Sequence, residues 1–131
     1  METKRVRGNP AGITNTHVAN NIRAARQAIG MDLRTMSDGL KAAGRKLSTS
    51  GISKLEAGDR RVDVDDLTVI AYLLRTTPAA LLTPPDEQTT LTGVPEGYEP
   101  EEIDRWMRGE LVLTGEGLFN YWQQEWVICT D

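Results

Sequence analysis

The chain has 131 residues, with 15 Lys/Arg against 19 Asp/Glu for a net charge of −4, and a single cysteine, Cys129. That length suits one domain, or one small domain with an appendage, and a lone cysteine excludes an internal disulfide or a cysteine-cluster zinc site. The charge is divided: residues 1–82 hold 13 Lys/Arg against 8 Asp/Glu, net +5, and residues 83–131 hold 2 against 11, net −9, which suggests a nucleic-acid-facing half and an acidic half that either has another job or merely keeps a tail soluble.

Residues 1–15 read as a flexible basic arm, because Gly8, Asn9, Pro10 and Gly12 block helix while Lys4, Arg5 and Arg7 are cationic. They lack the apolar core of a secretory signal, and no run of about 18 apolar residues follows anywhere, so a cytoplasmic protein without a membrane span is expected. From Thr16 the pattern is helical, with Val18, Ile22, Ala25 and Ile29 in one apolar stripe that Gly30 ends. Arg23 and Arg26 fall on the solvated face of this helix. His17, the only histidine, lies at its N-terminus, a poor place for a pH switch or a catalyst.

Asp32 is the N-cap of a second helix with Leu33, Met36 and Leu40 inside and Gly44 as its stop. Ser48 caps a third, 48–57, in which Ile52 and Leu55 point inward and Gly58 terminates. Its outward residues, Thr49, Ser50, Ser53 and Lys54, are short hydrogen-bonding groups and one cation, a face poor in apolar area that suits the floor of a DNA groove. Gly51 either permits close approach to a partner or is a weak helix former tolerated near an N-terminus; both readings stand. Asp63 opens a fourth helix, with Asp65 and Asp66 complementing its dipole and Leu67, Ile70, Ala71 and Leu74 inside. Thr77-Pro78 starts a short fifth, Ala79 to Leu82, which Pro84-Pro85 cuts off. The fold class predicted is all-α, a bundle of five short helices over 16–82.

A Thr-, Pro- and Gly-rich linker over 83–97 leads to an acidic, aromatic C-terminal appendage, 98–131, read as partly helical. Ile103, Trp106 and Met107 share a face of a helix from Pro100 to Gly109. Leu118, Tyr121, Trp122, Glu125 and Trp126 fall at helical spacing, whereas Glu110 to Leu113 is ambiguous. Trp106, Tyr121, Trp122 and Trp126 either enlarge a small core or form a surface for a second copy or a protein partner.

Leu47-Ser48, Ile52-Ser53, Leu55-Glu56 and Gly58, continued through Arg60, Asp63, Leu67, Ile70-Ala71, Leu74 and Leu81-Leu82, resemble the Cro and phage-repressor type of helix-turn-helix protein, the XRE family. The resemblance covers residues 16–82, more than half the chain. Two features depart from it. The insertion KAAGRK between Leu40 and Leu47 lengthens the turn before the third helix, which looks like the actinobacterial and actinophage subset. Leu33 stands where many relatives carry a glutamine that braces a backbone contact, and Arg34 is the candidate to take over part of that role.

The resemblance implies a repressor-like domain whose third helix enters the major groove of double-stranded DNA. Thr49, Ser50, Ser53 and Lys54 become the base readers, with Lys54, able to donate to guanine O6 and N7, the most discriminating. Arg34, Arg45, Lys46, Arg60 and Arg61 become phosphate contacts. Lys4, Arg5 and Arg7 are either a minor-groove arm or a solvated terminus, the second being favoured. Glu56 opposes phosphate, so an internal ion pair or hydrogen bond is expected of it. The function implied is a sequence-specific transcriptional regulator, a phage, prophage or actinobacterial repressor acting at the nucleoid as a homodimer. The rival is a protein-interaction module on the same fold, such as an antitoxin that binds a partner through the acidic end. No nucleophile–base pair, metal-ligand cluster or phosphate-cradling loop appears, so no catalytic residue, metal or cofactor is expected.

Overall fold

A computed structural model describes residues 8–115, 117–120 and 125–127. The fold is mostly helical, and among the described residues no helix is long and apolar enough to cross a membrane. In chain order the helices are α1 (Ile13–Ala28), α2 (Leu33–Ala42), α3 (Thr49–Glu56), α4 (Val64–Leu73), α5 (Pro78–Leu82) and α6 (Pro100–Met107).

Four helices begin where a short polar side chain can accept from the first turn. Asp32 accepts from the Thr35 amide at 2.7 Å, Ser48 from Gly51 at 3.1 Å, Asp63 from Asp66 at 2.7 Å and Thr77 from Ala80 at 3.0 Å. Gly30, Gly44 and Gly58 close α1, α2 and α3 with φ of 66°, 82° and 80°, a conformation that costs a residue without Cβ little. The inward faces meet in one cluster of Val18, Ile22, Met36, Leu40, Ile52, Leu55, Ile70, Ala71, Leu74 and Leu81, all buried.

The start of α1 differs from the Thr16 expected. The helix begins at Ile13, and its N-cap, Gly12, has no side chain with which to cap. Thr92 supplies the cap from 78 positions away: its Oγ1 accepts from the Thr14 amide at 3.1 Å, while Thr14 Oγ1 accepts from the Thr92 amide at 2.9 Å. At the other end, Ile29 leaves the apolar stripe assigned to it and is 42% exposed as the C-cap.

The stretch read as a linker lies against α1. Besides the Thr14–Thr92 pair, the His17 ring donates from Nε2 to the Thr90 carbonyl at 2.7 Å, and Leu91 is buried. His17 is therefore an interior group, 1% exposed. Asn21 donates to the carbonyls of Leu81 at 2.9 Å and Thr83 at 2.7 Å, fastening the exit of α5 to the same face.

Beyond it, α6 packs on α5 with Ile103 buried, and Leu111 is buried behind it. The appendage then departs from a helical reading. Val112–Thr114 (β1), Gly117–Asn120 (β2) and Glu125–Val127 (β3) form an antiparallel sheet in the order β1-β2-β3, pairing Leu113 with Leu118 and Phe119 with Trp126. Leu118, Glu125 and Trp126, placed on one helix by spacing, sit instead in strands; Tyr121 and Trp122 lie outside the described residues. Helical periodicity over these few positions is also satisfied by two short strands with a link between them, and the Gly-rich sequence Thr114 to Gly117 leaves two positions between β1 and β2. Tyr98 ties the sheet to the chain entering α6, its hydroxyl donating to the Thr114 carbonyl at 2.8 Å.

Candidate nucleic-acid interface

α3 is an eight-residue helix with two unlike faces. Ile52 and Leu55 are completely buried and Glu56 nearly so, while Thr49, Ser50, Ser53 and Lys54 are all exposed. The exposed face contributes little to the core. Ser50 Oγ lies 3.1 Å from the capping Ser48 Oγ, so one of the four has a hydroxyl partner within the helix start.

Glu56, the last residue of α3, has the internal partner expected of it, and the partner is Arg26. Arg26 Nε donates to Oε2 at 2.7 Å and Nη2 to Oε1 at 2.9 Å, a two-point pair whose side chains are 13% and 6% exposed. Arg26 Nη1 also donates to the Met31 carbonyl at 2.8 Å. The bond to Glu56 and its charge raise the Arg26 pKa above the ordinary value, against an opposing effect of burial. This corrects the placement of Arg26 on a solvated face: it fastens the end of α1, the α1–α2 link and the end of α3 together.

The turn from α2 to α3 is held at several points. Arg45 N donates to the Leu40 carbonyl at 2.8 Å, and Ser37 Oγ to the Leu47 carbonyl at 2.5 Å. Leu47 then lies under α3, where a Cβ added at Gly51 would come within 2.6 Å of its Cδ1. Gly51 thus answers to packing from inside the protein, an explanation that neither sequence reading offered.

Arg45, expected among the phosphate contacts, is engaged with α4. Its Nε donates to Asp66 Oδ1 and its Nη2 to Asp63 Oδ2, both at 2.8 Å. The hydrogen bond to Asp66 and the charges of Asp66 and Asp63 raise the Arg45 pKa. The Asp66 amide, followed by Arg45, holds the Asp63 carboxyl below the ordinary carboxylate range. Asp63 and Asp66 were read only as a cap and a dipole complement; the pattern of acids at the start of α4 showed they were placed there, but not that an arginine 18 and 21 positions earlier would meet them.

The other predicted cations divide. Lys46 and Arg60 are exposed, and among the described residues neither has a protein acceptor; together they line a polar cavity of about 200 Å³ with Gly44, Arg45 and Asp66. Arg61 is exposed, but its Nη2 donates to the Asn9 carbonyl. Next to it, the Val62 amide donates to Asn15 Oδ1 at 3.0 Å. Arg34 is exposed in the first turn of α2, beside Asp32. Lys4, Arg5 and Arg7 lie outside the described residues. Trp106 is half-buried on α6, where it lines a cavity of about 420 Å³ with Leu82, Leu91, Val94 and Met107. Among the described residues, no three His, Cys, Asp or Glu side chains are grouped to hold a metal ion.

Comparison of the chain with protein-family models, with curated proteins and with solved structures returns no match.

Proposed function

We propose that this protein is a sequence-specific DNA-binding transcriptional regulator, with α1 to α5 acting as a repressor-like helix-turn-helix domain and α3 lying in the major groove of double-stranded DNA. The observation that carries the reading is α3 itself: one face supplies the core through Ile52 and Leu55, and the other presents four exposed polar residues between two exposed cations, Lys46 and Arg60, that have no acceptor among the described residues. Thr49, Ser50, Ser53 and Lys54 are the base readers in this reading, with Lys54 the most selective. Arg34, Lys46, Arg60 and Arg61 contact phosphates. A homodimer on two related half-sites supplies the affinity and specificity that a single small module lacks, and repression is the regulatory outcome.

The test is enrichment of random duplex DNA on the purified protein near physiological salt. Two related half-sites are expected, and four phosphate contacts set a slope of log affinity against log salt of roughly −4. Lys54→Ala relaxes base preference at one position, whereas Arg60→Ala weakens all sequences alike. A folded sample that enriches nothing would refute the proposal and turn attention to a protein partner for the acidic C-terminal region.

A further inference from the structure

Lys46 is flanked by two fixed residues. On one side, Arg45 is bonded to Asp63 and Asp66 of α4; on the other, Leu47 is held through its carbonyl by Ser37 and packs against the core. The backbone carrying Lys46 is therefore tied to both α2 and α4, while its side chain is exposed. Arg60, in the turn leaving α3, lines the same cavity, whose surface also includes Leu40, Ile70, Arg45 and Asp66. Its volume is about 200 Å³.

The charges on this cavity are not equivalent. Arg45 faces two carboxylates, and Asp66 is only 8% exposed, so turning Arg45 outward would leave a buried acid uncompensated next to an incoming phosphate. Among the described residues, Lys46 and Arg60 have no carboxylate partner. We propose that Lys46 and Arg60 are the two donors of a subsite for one phosphodiester of duplex DNA, and that Arg45, clamped by Asp63 and Asp66, is the positioning residue that holds this subsite in shape. The inference rests on the DNA-binding reading and narrows it: the lengthened turn before α3 places one cation outward by locking its neighbour inward.

Asp63→Asn separates the clamp from simple electrostatics. Asparagine caps a helix about as well as aspartate, so the start of α4 is retained while one of the two charges that clamp Arg45 is lost and Asp66 alone holds its Nε. By charge alone, removing an acid beside DNA strengthens binding. The clamp demands the opposite sign: roughly three- to tenfold weaker binding, by a similar factor on a duplex carrying the enriched motif and on an unrelated duplex of equal length, since phosphates carry no sequence. The loss should also shrink to less than twofold in a Lys46→Ala, Arg60→Ala background, where there is no subsite left to position. Asp63→Ser, another good cap without charge, repeats the measurement should the asparagine variant unfold. Unchanged or tighter binding by a folded Asp63 variant overturns the clamp. If Lys46→Ala, Arg60→Ala and Lys54→Ala all bind as the parent does, the DNA reading itself falls, and the subsite with it.

Discussion

Replacing Glu56 by alanine tests the connection between α1 and the exposed helix. The substitution removes both acceptors of Arg26 and leaves a guanidinium, 13% exposed, with only the Met31 carbonyl. Breaking a buried ion pair from one side costs about 3–5 kcal/mol, and the remaining carbonyl bond and partial solvent access put Glu56→Ala near about 3 kcal/mol. Against a total stability of about 5–15 kcal/mol this is a large fraction, corresponding to a fall in Tm of about 10 °C for a domain of this size. The double replacement Arg26→Met, Glu56→Leu removes the charge from both sides and should recover at least about 2 kcal/mol of the loss. Urea unfolding followed by circular dichroism measures all three proteins, with the slope m serving as a check that the unfolded states are alike. A loss below about 0.5 kcal/mol for Glu56→Ala, or a double variant no more stable than the single, would show that the pair does not hold α1 to α3.

Three further outcomes follow from the same geometry. Gly51→Ala gains about 1 kcal/mol of helix propensity but overlaps Leu47, at a cost of about 1–3 kcal/mol, so a net loss near 1 kcal/mol is expected; adding Leu47→Ala should make the two changes less than additive in the same unfolding assay. Thr92→Ala removes the distant cap of α1, lowers stability by about 1 kcal/mol and speeds hydrogen exchange at the Thr14 amide, whereas unchanged exchange there would refute the cap. Asp32 and Asp63 both have pKa values below the ordinary 3.8, chiefly through backbone amides of Thr35 and Asp66. Their stabilisation is thus complete above that value and is lost as pH falls through the lower folded values. Asp32→Asn with Asp63→Asn should flatten the fall in stability below about pH 4 and leave the trend from about pH 5 to 7 unchanged.

The sequence by itself determined the helical core and its punctuation. Asp32, Ser48, Asp63 and Thr77 cap the four helices assigned to them, and the inward set Ile22, Met36, Leu40, Ile52, Leu55 and Ile70 is buried. These are local signals, since a cap acts within three residues and an apolar stripe repeats within one or two turns. The exposure of Thr49, Ser50, Ser53 and Lys54 was legible for the same reason. What the tertiary structure alone decided is which polar groups meet across long separations. Arg26 reads as a solvated residue until Glu56, 30 positions on, is brought against it, and Arg45 reads as a free cation until α4 presents Asp63 and Asp66. Thr92 looks like linker until it caps α1, and Leu118, Glu125 and Trp126 read as one helix face until strand pairing takes up their backbone instead. A charged or hydroxyl side chain carries no periodic mark of its partner, so its role depends on the packing that decides which group it faces.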